Sequence, residues 1–297
     1  MTVFLQQLIN GLSVGAIYAL IALGYTMVYG ILRFINFAHS DIFMVGAFCG
    51  YYCSRMDPHH SLAGGLLVMA LAMLACALLG IIIERLAYRP LRGSSNLAVL
   101  ITAIGVSLFL ENAGQLIFGA DPKAYPALFP ERSFTSASGL TVSSDQLLVF
   151  GVTAVLLVAL QRIVLHTKIG TAMRAVAFNH QAAALMGINV DRVISFTFGL
   201  GSALAAAGGI LYSMNYPSID PYMGVLPGLK AFVAAVLGGI GNIPGAALGG
   251  VLLGLIETLV KGSRLSTYSD AFAFAVLILI LLFRPAGLLG KFRVEKV

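Results

Sequence analysis

Nine apolar runs, at residues 8–31, 34–53, 61–83, 95–118, 146–165, 193–214, 226–240, 244–260 and 271–289, leave little of this chain to face water. A helix needs about 20 apolar residues to cross the hydrocarbon of a bilayer, so the run at 226–240 is short for a full crossing. The runs are continuous rather than alternating, which favours helices over a transmembrane barrel. Only 10% of the 297 residues are charged, against about 25% in a soluble domain, so lipid has to serve as the solvent. The 33 glycines suit close helix packing in a membrane. The expectation is an all-α, polytopic integral membrane protein with about eight or nine spans, forming one transmembrane domain over 1–297.

The opening MTVFLQQLINGLSVG has neither a basic n-region nor a small-residue cleavage site, and reads as a first membrane helix rather than a removable signal. Cys49, Cys53 and Cys76 lie in apolar segments and read as small buried hydrophobes, with neither a zinc spacing nor a disulfide framework. With no Trp in the chain, Tyr and Phe are left to anchor the interfaces.

Charge placement orients the chain. Arg33, Arg85, Arg89, Arg92, Arg162, Lys168, Arg174, Arg192, Arg284, Lys291, Arg293 and Lys296 make twelve of the 18 basic residues and fall at alternate span ends. The other ends carry Arg55, Lys123, Arg132, Lys261 and Arg264 set against Asp57, Asp121, Glu131, Asp145, Asp220 and Asp270. The positive-inside rule puts the first set in the cytoplasm. It follows that the C-terminus is cytoplasmic, 119–145 is an external loop and 166–192 an internal one. The net charge of +6 flanks membrane spans, which sets nucleic-acid binding aside.

The stretch GILRFINFAHSDIFMVG breaks this pattern, with Arg33, Asn36, His39, Ser40 and Asp41 inside nine positions. A charge facing lipid at mid-bilayer costs about 2.5–3.5 kcal/mol on insertion scales. Such groups face protein or a water-filled route, and non-helical backbone at membrane depth obeys the same restriction. Residues 33–41 therefore read as a break near the cytoplasmic side, followed by a helix whose Gly46 and Gly50 offer a close-packing face. A second break is expected at GGIGNIPG, 238–245, where Pro244 and four glycines loosen the helix. It leads into Gly245, Gly249, Gly250 and Gly254. Broken helices paired in this way build the pathway of many transporters; an ordinary tight turn is the equal alternative.

Asn36, His39, Ser40, Asp41 and Asn242 are thus candidates for lining a path. Glu111 and Asn112, adjacent in the span 95–118, either line it too or bond a neighbouring helix. Glu257 and Lys261 stand i,i+4 and pair. Lys230, near the start of its run, is placed to snorkel. Tyr18, Tyr25 and Tyr29 share roughly one face of the first helix, lining either a cavity or an interface.

No phosphate-binding G-x-x-x-x-G-K-[ST] loop occurs; GLLGKF at 287–292 has the wrong spacing. Neither a metal-ligand grouping nor a nucleophile motif appears, and no cofactor is expected. The chain is read as non-catalytic. It borrows energy from a partner, couples to an ion gradient, or conducts passively. The internal segment HTKIGTAMRAVAFNHQAAALMGINVDR is too polar to span, and a helix is expected over 171–186. Gly187 stands where a C-cap belongs and Asp191 where the next span needs an N-cap. This helix either joins two spans or docks a soluble partner.

Four stretches, YALIALGYTMVYGILRFINFAHSDIFMVGAF, ERLAYRPLR, KIGTAMRAVAFNHQAAALMGINVDRVI and KAFVAAVLGGIGNIPGAALGG, resemble the permeases of branched-chain amino acid ABC importers of the Liv type. The likeness covers nearly the whole chain in the family's order. Loop 119–145 resembles least, and Ser40 stands where many members have Gly. The resemblance implies an inner-membrane permease paired with a second, homologous permease subunit. Beneath them sit two cytoplasmic ATP-binding subunits, and a periplasmic amino-acid-binding protein delivers leucine, isoleucine or valine. It implies that 166–192 is the coupling segment, with Gly170, Arg174, Ala184 and Gly187 in the docking region, and that NFAHSD is a signature near the path. A permease for urea or short amides looks similar in the same motifs, and an ion-coupled secondary carrier or a channel are rivals of a different class.

Overall fold

The computed structural model describes residues 2–55, 61–130, 132–135 and 139–290. Asp57, Glu131, Lys291, Arg293 and Lys296, used above for orientation, lie outside them. All nine apolar runs form helices. Among the described residues these are α1 (Thr2–Leu32), α2 (His39–Ser54), α3 (Leu62–Ile83), α4 (Asn96–Phe118), α5 (Ser144–His166), α8 (Val190–Asn215), α9 (Val225–Gly238), α10 (Ile243–Lys261) and α11 (Ser269–Phe283). Two short helices, α6 (Lys168–Phe178) and α7 (His180–Leu185), fill the segment between α5 and α8. Seven helices are long and apolar enough to cross a membrane. The other two, α2 with 16 residues and α9 with 14, rise only about 1.5 Å per residue and fall short of a hydrocarbon core of about 30 Å. The protein is a multi-pass, all-α membrane protein.

Many helix starts are written in the sequence. Ser61, Ser95, Thr167, Asn179, Asn189 and Asn242 each accept a hydrogen bond from the backbone N–H three residues on. Ser143 and Gln146 form a reciprocal capping box. Each cap satisfies a donor that has no intrahelical partner. Asn189, not Asp191, caps α8, because Asp191 is drawn into ion pairs described below. Asn179 likewise splits the single helix expected at 171–186. It leaves helical geometry (φ −156°) and starts α7 with its side chain.

Helices α1 and α8 form the centre, buried along most of their length. In contrast, α4, α5 and α11 expose apolar side chains such as Phe109, Val155 and Leu282 along their outer faces. The most extensive packing joins α1 to α10. A Cβ added to Gly254 would lie 2.3 Å from Gly15 Cα, and one on Gly250 would lie 2.4 Å from Ala19 N. The glycine-faced helix expected at 245–254 thus serves two partners, because Gly245 and Gly249 abut Gly238 and Ala234 of α9 instead. Gly46 meets Ala206 Cα of α8 in the same manner. Two short antiparallel pairs tie the loops at one end of the bundle: β1 (Lys123–Ala124) with β4 (Ser218–Ile219), and β2 (Ser133–Thr135) with β3 (Thr141–Ser143). Gln6 of α1 grips Thr141 through both its N–H and its carbonyl.

Backbone-to-backbone packing has no side chain that can yield. Gly254→Val is therefore expected to cost about 1–3 kcal/mol or more through overpacking. Gly105→Ala, at a site with open space around it, leaves stability unchanged or slightly raised. Thermal unfolding in detergent checks both.

Candidate functional site

Both expected breaks are present and they sit side by side. Helix α1 ends at Leu32, Arg33 takes a left-handed conformation (φ 57°), and α2 restarts at His39. A non-glycine residue at positive φ is uncommon, so the turn is held by its surroundings. The second break, between Gly238 and Ile243, passes through Gly239 and Gly241 at φ 105° and 90°. A Cβ on Gly30 would lie 3.6 Å from Gly241 Cα. The tail after α11 closes this second break: the N–H groups of Leu288 and Leu289 donate to the carbonyls of Leu237 and Gly238. Asn242 caps α10 and donates its amide to Leu289 O at 2.7 Å. It serves as a local fastener of the second break.

The first break carries the polar seam. Asn36, His39 and Asp41 are almost wholly buried, and Ser40 nearly so. Asn36 Oδ1 accepts the Tyr88 hydroxyl at 2.6 Å. His39 Nε2 lies 3.2 Å from Ile21 O, and its ring stands edge-on to Tyr25 with centroids 4.7 Å apart. The His39 ring fits only because residue 24 lacks a side chain, since a Cβ there would fall 2.3 Å from it. Ser40 donates to Phe37 O at 2.7 Å and packs its Cβ against Gly228 of α9. Asp41 accepts the hydroxyl of Ser107 on α4. Glu111 stands one turn beyond Ser107 on the same face, so it belongs to this seam. Asn112 does not: it is exposed and bonds Leu108 O on its own helix. The tyrosines divide in the same way. Tyr18 and Tyr25 are buried at helix interfaces, while Tyr29 is only partly covered.

Sequence reading missed the partner of Asn36. Tyr88 closes a π-helical turn, Glu84–Tyr88, that extends α3, and such turns tend to mark functional sites. Glu84 and Tyr88, four positions apart on this turn, are both buried. Glu84 accepts the Ser195 hydroxyl and the Arg92 guanidinium. Arg92 also reaches Asp191, which Arg89 pairs with as well. A continuous polar chain thus runs from Asp191, at the start of α8, through Arg92 and Glu84 to the turn that holds Tyr88 against Asn36. The quoted ERLAYRPLR motif contains most of it, but nothing local in that motif marks Glu84 as buried.

A second network lies toward the opposite end of α10. Glu257 Oε1 is 2.7 Å from both Lys230 Nζ and Lys261 Nζ. Lys230 also meets Asp270 at 2.7 Å, and Tyr18 donates to Glu257 Oε2 at 2.8 Å. The expected Glu257–Lys261 pair is present. Lys230, however, does not snorkel: it is 6% exposed and pinned between two carboxylates, because its run forms a helix enclosed by α1, α10 and α11.

In the segment between α5 and α8, Gly187 is at φ 82° and ends α7 with Ile188 N–H on Ala183 O, as a C-cap glycine should. Gly170 abuts the end of α5 so closely that a Cβ would fall 2.1 Å from Ile163 O. Arg174 caps that same end, donating to Val164 O at 2.8 Å and Leu165 O at 3.0 Å. Both residues build the α5–α6 corner. Ala184 lies on an exposed face, in the company of Phe178, Leu185 and Met186, which are 73%, 88% and 82% exposed. His180 is held below the ordinary imidazole range by partial burial and by the Arg33 and Arg92 guanidiniums.

A multi-pass helical bundle with a buried polar seam at paired helix breaks, and a capped polar segment between α5 and α8, is the architecture of a membrane permease. The chain belongs to the family described as branched-chain amino acid transport system / permease component, which matches residues 7–281. It is 46% identical to the high-affinity branched-chain amino acid transport system permease protein BraD of Pseudomonas aeruginosa, over 99% of this chain and 98% of that protein. It is 43% identical, with the same coverage, to the permease protein LivH of the corresponding Escherichia coli system. A shorter likeness, 30% over 38% of the chain, links it to the ribose import permease protein RbsC of Haemophilus influenzae.

Two outcomes follow from this geometry. Tyr88→Phe strips Asn36 of its buried donor and lowers stability by about 1–3 kcal/mol. Lys230→Met alone leaves Glu257 under-compensated and costs about 3–5 kcal/mol, much of it recovered when Glu257→Gln is added. A double-mutant cycle of thermal unfolding reads the coupling.

Proposed function

We propose that this chain is the membrane permease subunit of an importer that carries branched-chain amino acids across the cytoplasmic membrane, with ATP hydrolysed by separate subunits. The observation that carries the reading is full-length identity of 43–46% to permeases named for that transport. The sequence supports the division of labour, since it has no phosphate-binding loop of its own. The assembly we infer contains a second homologous permease, two ATP-binding subunits and a periplasmic amino-acid-binding protein, with the C-terminus of this chain in the cytoplasm.

In this reading Asn36, His39, Ser40 and Asp41, with Glu111, border a route that is shut in the conformation described. Affinity resides in the delivery protein, and the permease offers a transient, modestly polar way through. Opening requires α1, α2 and α9 to shift about the adjoining breaks, which glycine backbones and a single strained residue at Arg33 permit. ATP binding shifts the balance only insofar as the ATPases bind one arrangement better than the other. We assign their contact to the exposed apolar trio Phe178, Leu185 and Met186 beside Ala184, with Gly170, Arg174 and Gly187 shaping the segment that presents it. Movement there has a polar chain to follow, from Asp191 through Glu84 to Tyr88 and Asn36.

Reconstituted alone, the chain does not concentrate leucine under a proton or sodium gradient; with its partners and ATP, it does. Accumulation by the lone chain under an ion gradient would contradict the reading. Leu185→Asp with Met186→Asp should reduce recovery of ATP-binding subunits at least about tenfold while insertion is normal. Co-purification at the wild-type level would remove the docking assignment.

A further inference from the structure

The network around Lys230 is built in two tiers. The inner pair, Lys230 and Glu257, is desolvated, with side chains 7% and 1% exposed. Each inner member holds one outer counter-ion at 2.7 Å: Asp270 on Lys230 and Lys261 on Glu257. Both outer side chains are about half in the open, at 48% and 42%. Two cations and two anions leave the cluster neutral. Half-exposed ion pairs are weak and screened by water, so the outer partners exchange readily. The inner pair does not, because either member left without compensation would be a buried bare charge.

From this arrangement we infer that Lys230 and Glu257 form a way-station for the zwitterionic end of an α-amino acid. The ligand's carboxylate takes the place of Asp270 on Lys230, and its ammonium takes the place of Lys261 on Glu257. The exchange conserves the charge of the cluster, and it favours a zwitterion over a molecule bearing one charge alone, because only the zwitterion engages both inner members at once. The ammonium also has an aromatic surface prepared for it. Lys261 Nζ lies 5.7 Å above the Tyr216 ring, a cation–π site that an arriving ammonium inherits when Lys261 swings out. The Tyr18 hydroxyl fixes the second oxygen of Glu257, so the carboxylate is oriented before the ligand arrives. The cluster lies at the end of α10 opposite the paired breaks, which the charge distribution assigns to the outside, where delivered substrate enters. The inference rests on the proposed reading that the cargo is a free amino acid.

Static clamping of α1, α9, α10 and α11 is the competing account, and the two differ in sign. If the outer ions compete with the ligand, removing them strengthens binding. Binding of tritiated L-leucine is measured on the purified permease–ATPase complex without delivery protein. The Asp270→Asn, Lys261→Gln variant is expected to bind at least about fivefold tighter than wild type. Unlabelled leucine competes, whereas 4-methylpentanoate (no ammonium) and 3-methylbutylamine (no carboxylate) do not. Unchanged or weaker binding in this variant overturns the site, as does equal competition by the singly charged analogues. Should the double variant not fold, Asp270→Asn alone carries the same expectation. The near-isosteric pair Lys230→Met, Glu257→Gln keeps the helices packed, so that the variant is recovered folded with its ATP-binding subunits, and is expected to lose leucine uptake by the complete assembly at least about tenfold. Uptake at the wild-type level in that folded variant also overturns the site. Failure of the wild-type assembly to import leucine would instead sink the functional reading.

Discussion

In hydrocarbon a polar group has to find its partner inside the protein, because no water is there to supply one. Most of what is distinctive in this bundle follows from that condition. The break at 33–38 sets backbone and side-chain polarity loose at depth, and each group is met: Asn36 by Tyr88, His39 by Ile21, Ser40 by Phe37, Asp41 by Ser107. The carbonyls exposed by the second break, Leu237 and Gly238, are met by the tail that returns after α11. A helix interrupted in lipid is expensive; a helix interrupted against a protein neighbour that completes it is a hinge.

The two polar networks lie at opposite ends of the bundle, and α1 touches both. Its Tyr18 binds Glu257, and its Tyr25 packs on His39. Glycine contacts seat α1 against α10, so that backbone rides on backbone. Helix α1 therefore links the Lys230 cluster and the break directly.

Which residues lie in the seam was legible from sequence where polarity stood out against an apolar background: Asn36, His39, Ser40 and Asp41 announce themselves. Glu111 did so too, and its neighbour Asn112 equally, although only Glu111 faces the seam. One helical position is 100° of rotation, and hydropathy does not say which way an almost uniformly apolar helix turns. Lys230 shows the same blindness. A lysine near a span end ordinarily reaches for water, and only the enclosure of α9 by three helices turns it inward. Arg174 and Gly170 stand in the segment the family resemblance marked, yet their contacts build a corner. The exposed apolar side chains beside them, Leu185 and Met186, were visible as apolar residues in a polar segment.

The sequence by itself determined that this protein lives in a membrane, which runs become helices, where they start and where two of them break. These are local matters: apolar length against bilayer thickness, a capping side chain three residues from its donor, glycine and proline against helical geometry. The tertiary structure alone decided that the breaks adjoin, that Glu84 and Lys230 are buried ions, and that Tyr88 completes Asn36. Each of those joins residues far apart in the chain, and a partner across a helix interface is fixed by rotation and depth, which no stretch of sequence carries.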